Sequence, residues 1–116
     1  VLAFDTKIYD TNTNFNTSTY RFTPTVAGYY QVNVLVYISG GAGANEIQIA
    51  IQKNGSDYLY PTDIIPTNAW GINGSGIVYC NGSTDYIELY GLSGVTQNIS
   101  AAQTDTYFQA SMIRTA

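Results

Sequence analysis

Residues 15–38, FNTSTYRFTPTVAGYYQVNVLVYI, contain the pattern that decides the fold of this 116-residue chain. Tyr20 and Phe22 alternate with polar residues, which is the period of two expected of a half-buried strand. Pro24 ends that strand, because proline has no amide hydrogen to donate to a central ladder. A turn follows as far as Gly28, beyond which the stretch contains no further glycine or proline. The stretch therefore predicts a short strand, a turn and one long strand.

The long strand has two faces of different chemistry. On one face every side chain is apolar, and these residues are Tyr30, Val32, Val34, Val36 and Ile38. The other face mixes large side chains with amides, and it comprises Tyr29, Gln31, Asn33, Leu35 and Tyr37. Such a mixture is unusual for a surface in contact with water, and large exposed patches of this kind usually mark an interface.

Short strands separated by glycine and proline turns recur along the rest of the chain, and no segment of useful length has helical periodicity. Beyond the opening stretch, strands are predicted at residues 1–6 with an extension through 7–9, and at 47–52, 58–60, 77–81, 86–90 and 106–114. A long connection is expected after residue 60, and a small edge piece within residues 92–103. This pattern favours an all-β sandwich or barrel.

The alternating apolar residues of these strands form the predicted core between two sheets. Its members are Tyr30, Val32, Val34, Val36, Ile47, Ile49, Ile51, Val78, Ile87, Leu89, Phe108 and Met112. A shift of one residue would turn each inward set outward, so the burial of these positions tests the strand register.

Composition narrows the classes of function. The length indicates one domain over residues 1–116. Charged residues make up 10%, against a usual share of roughly 25%, and surfaces built from Thr, Asn, Ser, Gln and Tyr suit extracellular or virion proteins. The basic residues are scattered, so no nucleic-acid partner is expected, and no apolar run approaches the roughly 18 residues of a membrane helix.

Val1 is not a natural start, so we expect a fragment of a longer protein.

The residue types limit the chemistry. The chain contains no histidine, which removes Ser-His-Asp and Cys-His arrangements and the usual zinc sites. Cys80 lies in an apolar strand and is interpreted as a buried thiol. Asp57 and Asp63 are the only candidate carboxylate pair for glycoside cleavage, and we interpret them as solvated loop residues. A calcium-loop-like stretch fails, because Phe15 and Arg21 stand where the motif needs Gly and Glu. No catalytic residue, metal or cofactor is expected.

The opening stretch also resembles a family signature. The pattern F-N-x5-F-x-P-x3-G-x-Y-x-V, from Phe15 to Val32, resembles that of the globular head of complement component q, a module of the complement-q and tumour-necrosis-factor superfamily. Further matches follow at residues 53–55, 78–80, 85–89 and 108–112. The Thr-, Asn- and Tyr-rich sequence is most similar to the versions found at the tips of bacteriophage fibres.

The resemblance implies a ten-strand jelly-roll β-sandwich that assembles into a compact homotrimer. In the superfamily the long strand and the last strand lie in one sheet, and that sheet faces the threefold axis. The implied trimer interface comprises Tyr29, Gln31, Asn33, Leu35, Tyr37, Tyr107, Gln109, Ser111 and Ile113. The absence of charge in this set agrees with burial beside a threefold axis, where like charges would meet. Some family members bind calcium near the trimer apex, but the sequence has no carboxylate cluster to support such a site.

A receptor site is predicted at Tyr58, Tyr60 and Trp70, which lie in an irregular, proline-punctuated segment. Exposed aromatic residues between loops suit stacking against a sugar or a protein receptor. A structural alternative is that Trp70 plugs one end of the barrel.

The predicted function is that of a non-enzymatic trimeric binding and trimerisation head, the receptor-recognition tip of a bacteriophage tail or head fibre on the virion surface. The chain is then the C-terminal fragment of a longer fibre protein, and its partners are two further copies and a host-surface glycan or protein. The alternatives are a secreted complement-q-like ligand or pattern-recognition domain, a carbohydrate-active enzyme and an inert structural cap. Upstream collagen repeats and a signal peptide would favour the secreted domain, whereas a fibre shaft would favour the fibre tip.

Overall fold

A computed structural model of the chain describes residues 1–39, 46–65 and 70–116. Within these residues it contains no helix, and every strand pairing is antiparallel. The strands of this part of the chain are β1 (Phe15–Asn16), β2 (Arg21–Phe22), β3 (Gly28–Ser39), β4 (Ile47–Lys53), β5 (Ser56–Ile64), β6 (Trp70–Cys80), β7 (Ile87–Ser93), β8 (Asn98–Ile99) and β9 (Tyr107–Thr115). The fold is therefore all-β, as the alternation predicted.

The strands form two sheets around one core. The five-stranded sheet has the order β1-β2-β7-β4-β5, and the other has the order β6-β3-β8 with β9 also paired to β3. Side chains from both sheets belong to the same buried cluster, an arrangement consistent with the predicted β-sandwich. The long strand β3 is central, because β6 runs along one of its edges and β9 along the other.

The predicted core is largely confirmed. Ten of the twelve predicted residues are buried, namely Tyr30, Val32, Val34, Val36, Ile47, Ile49, Ile51, Val78, Ile87 and Leu89. The prediction for Met112 is wrong, because 37% of its surface is exposed, and Phe108 is only partly buried. The strand register derived from the sequence is therefore correct, and the errors are confined to β9.

The inner side of β9 is exposed because little of the opposing sheet covers it. Across the core β9 faces β1 and β2, which are two residues long each. The rings of Phe4 and Phe15 pack against Phe108 with centroid distances of 5.9 and 5.5 Å. These rings cover Phe108 in part, whereas the short opposing strands leave Met112 without comparable cover.

The strand predicted for residues 1–6, with its extension through 7–9, is not formed. The amide of Leu2 donates one main-chain hydrogen bond to the carbonyl of Leu89 at 2.7 Å, and no ladder continues from it. The packing of Leu2 and Phe4 against the core holds the segment in place. The alternation in this segment therefore reflects two partly buried side chains rather than a strand.

Strands β5 and β6 extend well beyond the short strands predicted from the sequence. The glycines of β6 had indicated a loop, but they lie in the strand where the two sheets approach closely. A Cβ at Gly74 would collide with the side chain of Pro61, and one at Gly76 would collide with Leu59. Pro61 itself is tolerated because β5 is an edge strand, where one missing amide hydrogen leaves the ladder intact.

The turn between β4 and β5 is fixed to the start of β7 by side chains. Asn54 and Gly55 both have positive φ, 54° and 78°, as a two-residue hairpin turn of type I′ requires. The side-chain amide of Asn54 donates to Asp85 at 2.8 Å, and its oxygen accepts from the amide of Tyr86 at 2.9 Å. Lys53 Nζ lies 3.0 Å from the same Asp85 carboxylate. The hydrogen bond from Asn54 is the leading cause that lowers the pKa of Asp85.

Candidate binding surfaces

The outward face of the sheet formed by β6, β3 and β9 contains the residues of the predicted trimer interface. In β3 these residues alternate with buried ones. The pairing of β9 with β3 sets Leu35, Asn33 and Gln31 opposite Tyr107, Gln109 and Ser111, respectively. Ile113 lies at an irregularity in this pairing, beside Tyr29, and is 53% exposed. The fold thus gathers all nine predicted residues, Tyr37 included, on or beside one face.

Strand β6 adds residues to this face that the sequence analysis did not assign to it. The register places Tyr79 beside Tyr29, and it places Ile77, two residues before Tyr79 in the same strand, beside Gln31. Ile77 is 49% exposed, and the rings of the two tyrosines lie 5.5 Å apart between centroids. The signal was present in the sequence, since Ile77 and Tyr79 alternate with the buried Val78 and Cys80.

This face is rich in aromatic and amide side chains and poor in charge. Among the described outward-facing residues of the three strands, Arg114 is the only charged one, and it lies opposite Tyr29 at one end of the sheet. Gln31 Nε2 donates to Asn33 Oδ1 at 3.2 Å, and each amide has more donors and acceptors than this bond uses. The face can therefore bury aromatic area and also hydrogen-bond to a neighbouring molecule.

The predicted receptor residues occupy two different strands. Tyr58 and Tyr60 lie in β5 and are 48% and 52% exposed. Trp70 begins β6, where its main chain lies opposite Ile38, and its side chain is outside the described part of the structure. The main chain places Trp70 at the end of the sandwich near Ile64, which is the far end of β5 from its turn. The grouping of Trp70 with the two tyrosines stays a prediction.

A hydrogen-bonded group lies on the outward face of β4 and β5. Gln52 Nε2 donates to Asp57 Oδ1 at 2.7 Å, and the hydroxyl of Tyr60 donates to Asp57 Oδ2. The bond from Tyr60 is the leading cause that lowers the pKa of Asp57, and the bond from Gln52 acts in the same direction. Each oxygen of the Asp57 carboxylate thus accepts a hydrogen bond, and these bonds favour the ionised form. The residue is nevertheless exposed.

A second such group lies four residues along β4. Gln48 Nε2 donates to Asp63 Oδ2 and to Glu46 Oε1, both at 3.1 Å. Asp57 and Asp63 are exposed, as expected, but both lie in strand β5, so their placement in loops was wrong. The pairing of β5 with β4 fixes each of them opposite a glutamine.

The guanidinium of Arg21 lies on the same side of the molecule as these two groups. Arg21 Nε donates to Glu88 Oε2 at 3.2 Å, and its guanidinium carbon lies 4.1 Å from the centroid of the Tyr86 ring. Glu88 is buried, so the contact with Arg21 compensates a carboxylate that has lost much of its water.

The thiol of Cys80 is fully buried, as predicted. Burial is the leading cause that raises its pKa to about 11. At neutral pH the side chain is a protonated thiol that behaves as a small apolar group.

The described residues contain neither a cluster of metal-ligating side chains nor a membrane-spanning helix. No group of three or more His, Cys, Asp or Glu side chains in residues 1–39, 46–65 and 70–116 is close enough to hold a metal ion. No helix in the described part of the chain is long and apolar enough to cross a membrane.

No known family model matches the chain, and no curated protein matches it significantly.

Proposed function

We propose that this chain is a trimeric, non-enzymatic binding head with a complement-q-like jelly-roll fold, and that it forms the receptor-recognition tip of a bacteriophage fibre on the virion surface. The resemblance between Phe15 and Val32 motivates the family and the fibre. The observation that supports the proposal is the aromatic outward face of β6, β3 and β9, on which Arg114 at one end is the only charged residue among those described. A binding head that works as a trimer needs such a face for its own copies and a second surface for its receptor.

The path of the chain supports the jelly-roll proposal. The chain changes sheets between β2 and β3, β3 and β4, β5 and β6, β6 and β7, and β7 and β8. The last strand, β9, returns to pair with the long strand β3 over eight residue pairs. This agrees with the arrangement implied by the resemblance, in which these two strands share the sheet that faces the threefold axis.

The size of the face supports its proposed role in assembly. Three strands spaced about 4.8 Å apart, over about eleven residues at 3.3 Å each, give a projected area of about 500 Å². The largest contiguous apolar patches on soluble monomers reach a few hundred Å² and are often functional. Tyr29, Ile77 and Ile113 are each at least 43% exposed on or beside it. A closed cyclic assembly would cover this patch on every copy and leave none unpaired.

The state of Asp57 suits a binding role better than the role of a glycosidase general acid. A glycosidase needs a general acid whose pKa is raised, so that it still carries its proton near neutral pH. The pKa of Asp57 is instead lowered, first by the Tyr60 hydroxyl and then by Gln52. The group therefore acts as a hydrogen-bond acceptor, which suits recognition of a ligand.

A pair of matched variants tests the assembly. Leu35→Glu places three like charges near the proposed threefold axis, and we expect it to dissociate the trimer. Leu92→Glu introduces the same charge at a 44% exposed leucine of β7, which lies opposite Gln48 in the other sheet. We expect this control to remain a trimer by light scattering, with unchanged far-ultraviolet circular dichroism in both variants. A folded Leu35→Glu protein that remains trimeric would contradict the proposed interface.

A further inference from the structure

The outward face of the five-stranded sheet has tyrosines between two rows of mostly polar residues. The strand register sets Gln52 between Asp57 and Glu88, and it sets Gln48 between Asp63 and Leu92. Between these rows Tyr90 lies opposite Ala50, and Tyr60 is tied to Asp57 by its hydroxyl. Ala50 is fully buried although it faces outward, so the larger side chains of this face pack over it.

The dimensions of this face suit an extended ligand. Gln48 and Gln52 are four residues apart in one strand, which separates their side chains by about 13 Å. That span matches a short oligosaccharide lying along the strand, with Tyr60 and Tyr90 between the two glutamines. The face lies on the opposite side of the sandwich from the proposed trimer interface, so assembly would leave it accessible.

The chemistry of the face suits sugar hydroxyls. A sugar presents hydroxyl groups that both donate and accept hydrogen bonds, and it presents apolar C–H surfaces that pack on aromatic rings. The carboxylate of Asp57 is held at both oxygens by Gln52 and Tyr60, and each oxygen has a further lone pair to offer. Because these side chains are already ordered by one another, binding costs little additional conformational entropy.

The charge of the face selects among ligands. Its described charged side chains are the carboxylates of Glu46, Asp57, Asp63 and Glu88 and the guanidinium of Arg21. This excess of negative charge repels phosphorylated, sulfated and sialylated glycans. We propose that this face, centred on Tyr60, Asp57 and Gln52, binds a neutral oligosaccharide, an assignment that rests on the proposed receptor-binding function and specifies its ligand.

The test is binding of the full chain to a printed array of neutral and anionic glycans. We expect binding to neutral glycans only. Tyr60→Ala removes the ring and one of the two hydrogen bonds that hold Asp57, and it should weaken that binding by about tenfold or more. Gln52→Met keeps the side-chain length but removes the amide, and it should weaken binding as well. Tyr9→Ala, at a tyrosine that is 76% exposed in the N-terminal segment, should leave binding unchanged.

Several results of the glycan array would contradict the proposed ligand. Binding of no neutral glycan, of anionic glycans alone, or of an oligolysine peptide instead of any glycan would overturn the inference. So would neutral-glycan binding that survives both Tyr60→Ala and Gln52→Met. Light scattering on the same samples separates the two proposals: a trimer without glycan binding refutes this ligand, and a glycan-binding monomer refutes the proposed assembly.

Discussion

Truncation of Val34 tests whether β3 is the central strand of the core. Val34 is 2% exposed and lies between Gly74 of β6 and Phe108 of β9. In Val34→Ala two buried methyl groups are lost. Gly74 has no side chain that could move into the space, and the ring of Phe108 is held by its contacts with Phe4 and Phe15. We therefore expect the cavity to remain largely unfilled.

Two contributions set the loss of unfolding free energy in Val34→Ala. At about 0.8 kcal/mol for each buried carbon, the two methyl groups contribute about 1.6 kcal/mol to the free energy of unfolding. A cavity of about 50 Å³ adds about 1.2 kcal/mol if the neighbours do not move, at about 24 cal/mol per Å³. We expect Val34→Ala to lower the free energy of unfolding by about 1.5 to 3 kcal/mol, depending on how far the core relaxes.

Urea denaturation followed by far-ultraviolet circular dichroism measures this loss. All proteins are compared at one concentration, because assembly makes apparent stability depend on it. The matched control is Val26→Ala, at a valine that is 42% exposed, and it should change stability by less than about 0.5 kcal/mol. If Val34→Ala costs no more than this control, the register of β3 is inverted and the core assignment fails.

Two further predictions concern ionisable groups. The hydrogen bond from Asn54 lowers the folded-state pKa of Asp85 below the ordinary value of 3.8. The contribution of Asp85 to stability is therefore complete above that value and is lost as the pH falls below it. Urea midpoints from pH 6 to pH 2 should fall less steeply for Asp85→Asn than for the wild type, and equal slopes would refute this role. Cys80, with its pKa raised to about 11 by burial, should not react with a thiol reagent at pH 8 until the protein is unfolded in urea. Rapid labelling of the native protein would show that the thiol is accessible.

The alternation of apolar residues was sufficient to predict the central strands. Val32 and Val78 have no exposed surface, and both positions follow from a period of two with no knowledge of the partner strand. The errors arise where tertiary contacts decide. Met112 alternates correctly but lies opposite strands that are too short to cover it. Gly76 lies within strand β6, and a glycine is required there because Leu59 of the other sheet occupies the space that a side chain would need.

The candidate surfaces were predictable to different degrees. The interface residues of β3 and β9 follow from alternation within each strand and from the family resemblance. The contribution of Tyr79 depends on the pairing of β6 with β3, which a single sequence does not specify. The hydrogen bond between Tyr60 and Asp57 and the pairing of Gln52 with Asp57 depend on irregularities in β5 that shift its register. No local sequence pattern encodes those shifts, so the polar rows emerged only from the structure.

The molar mass of the wild-type chain in solution tests the central claim most directly. The proposed trimer of 12.6 kDa chains has a mass of 37.8 kDa, and light scattering on a size-exclusion column at micromolar concentration should return that value. A stable species of 12.6 kDa would mean that the aromatic face of β6, β3 and β9 is not an interface between copies of this chain. That result would contradict both the trimer and the fibre-tip function proposed from it.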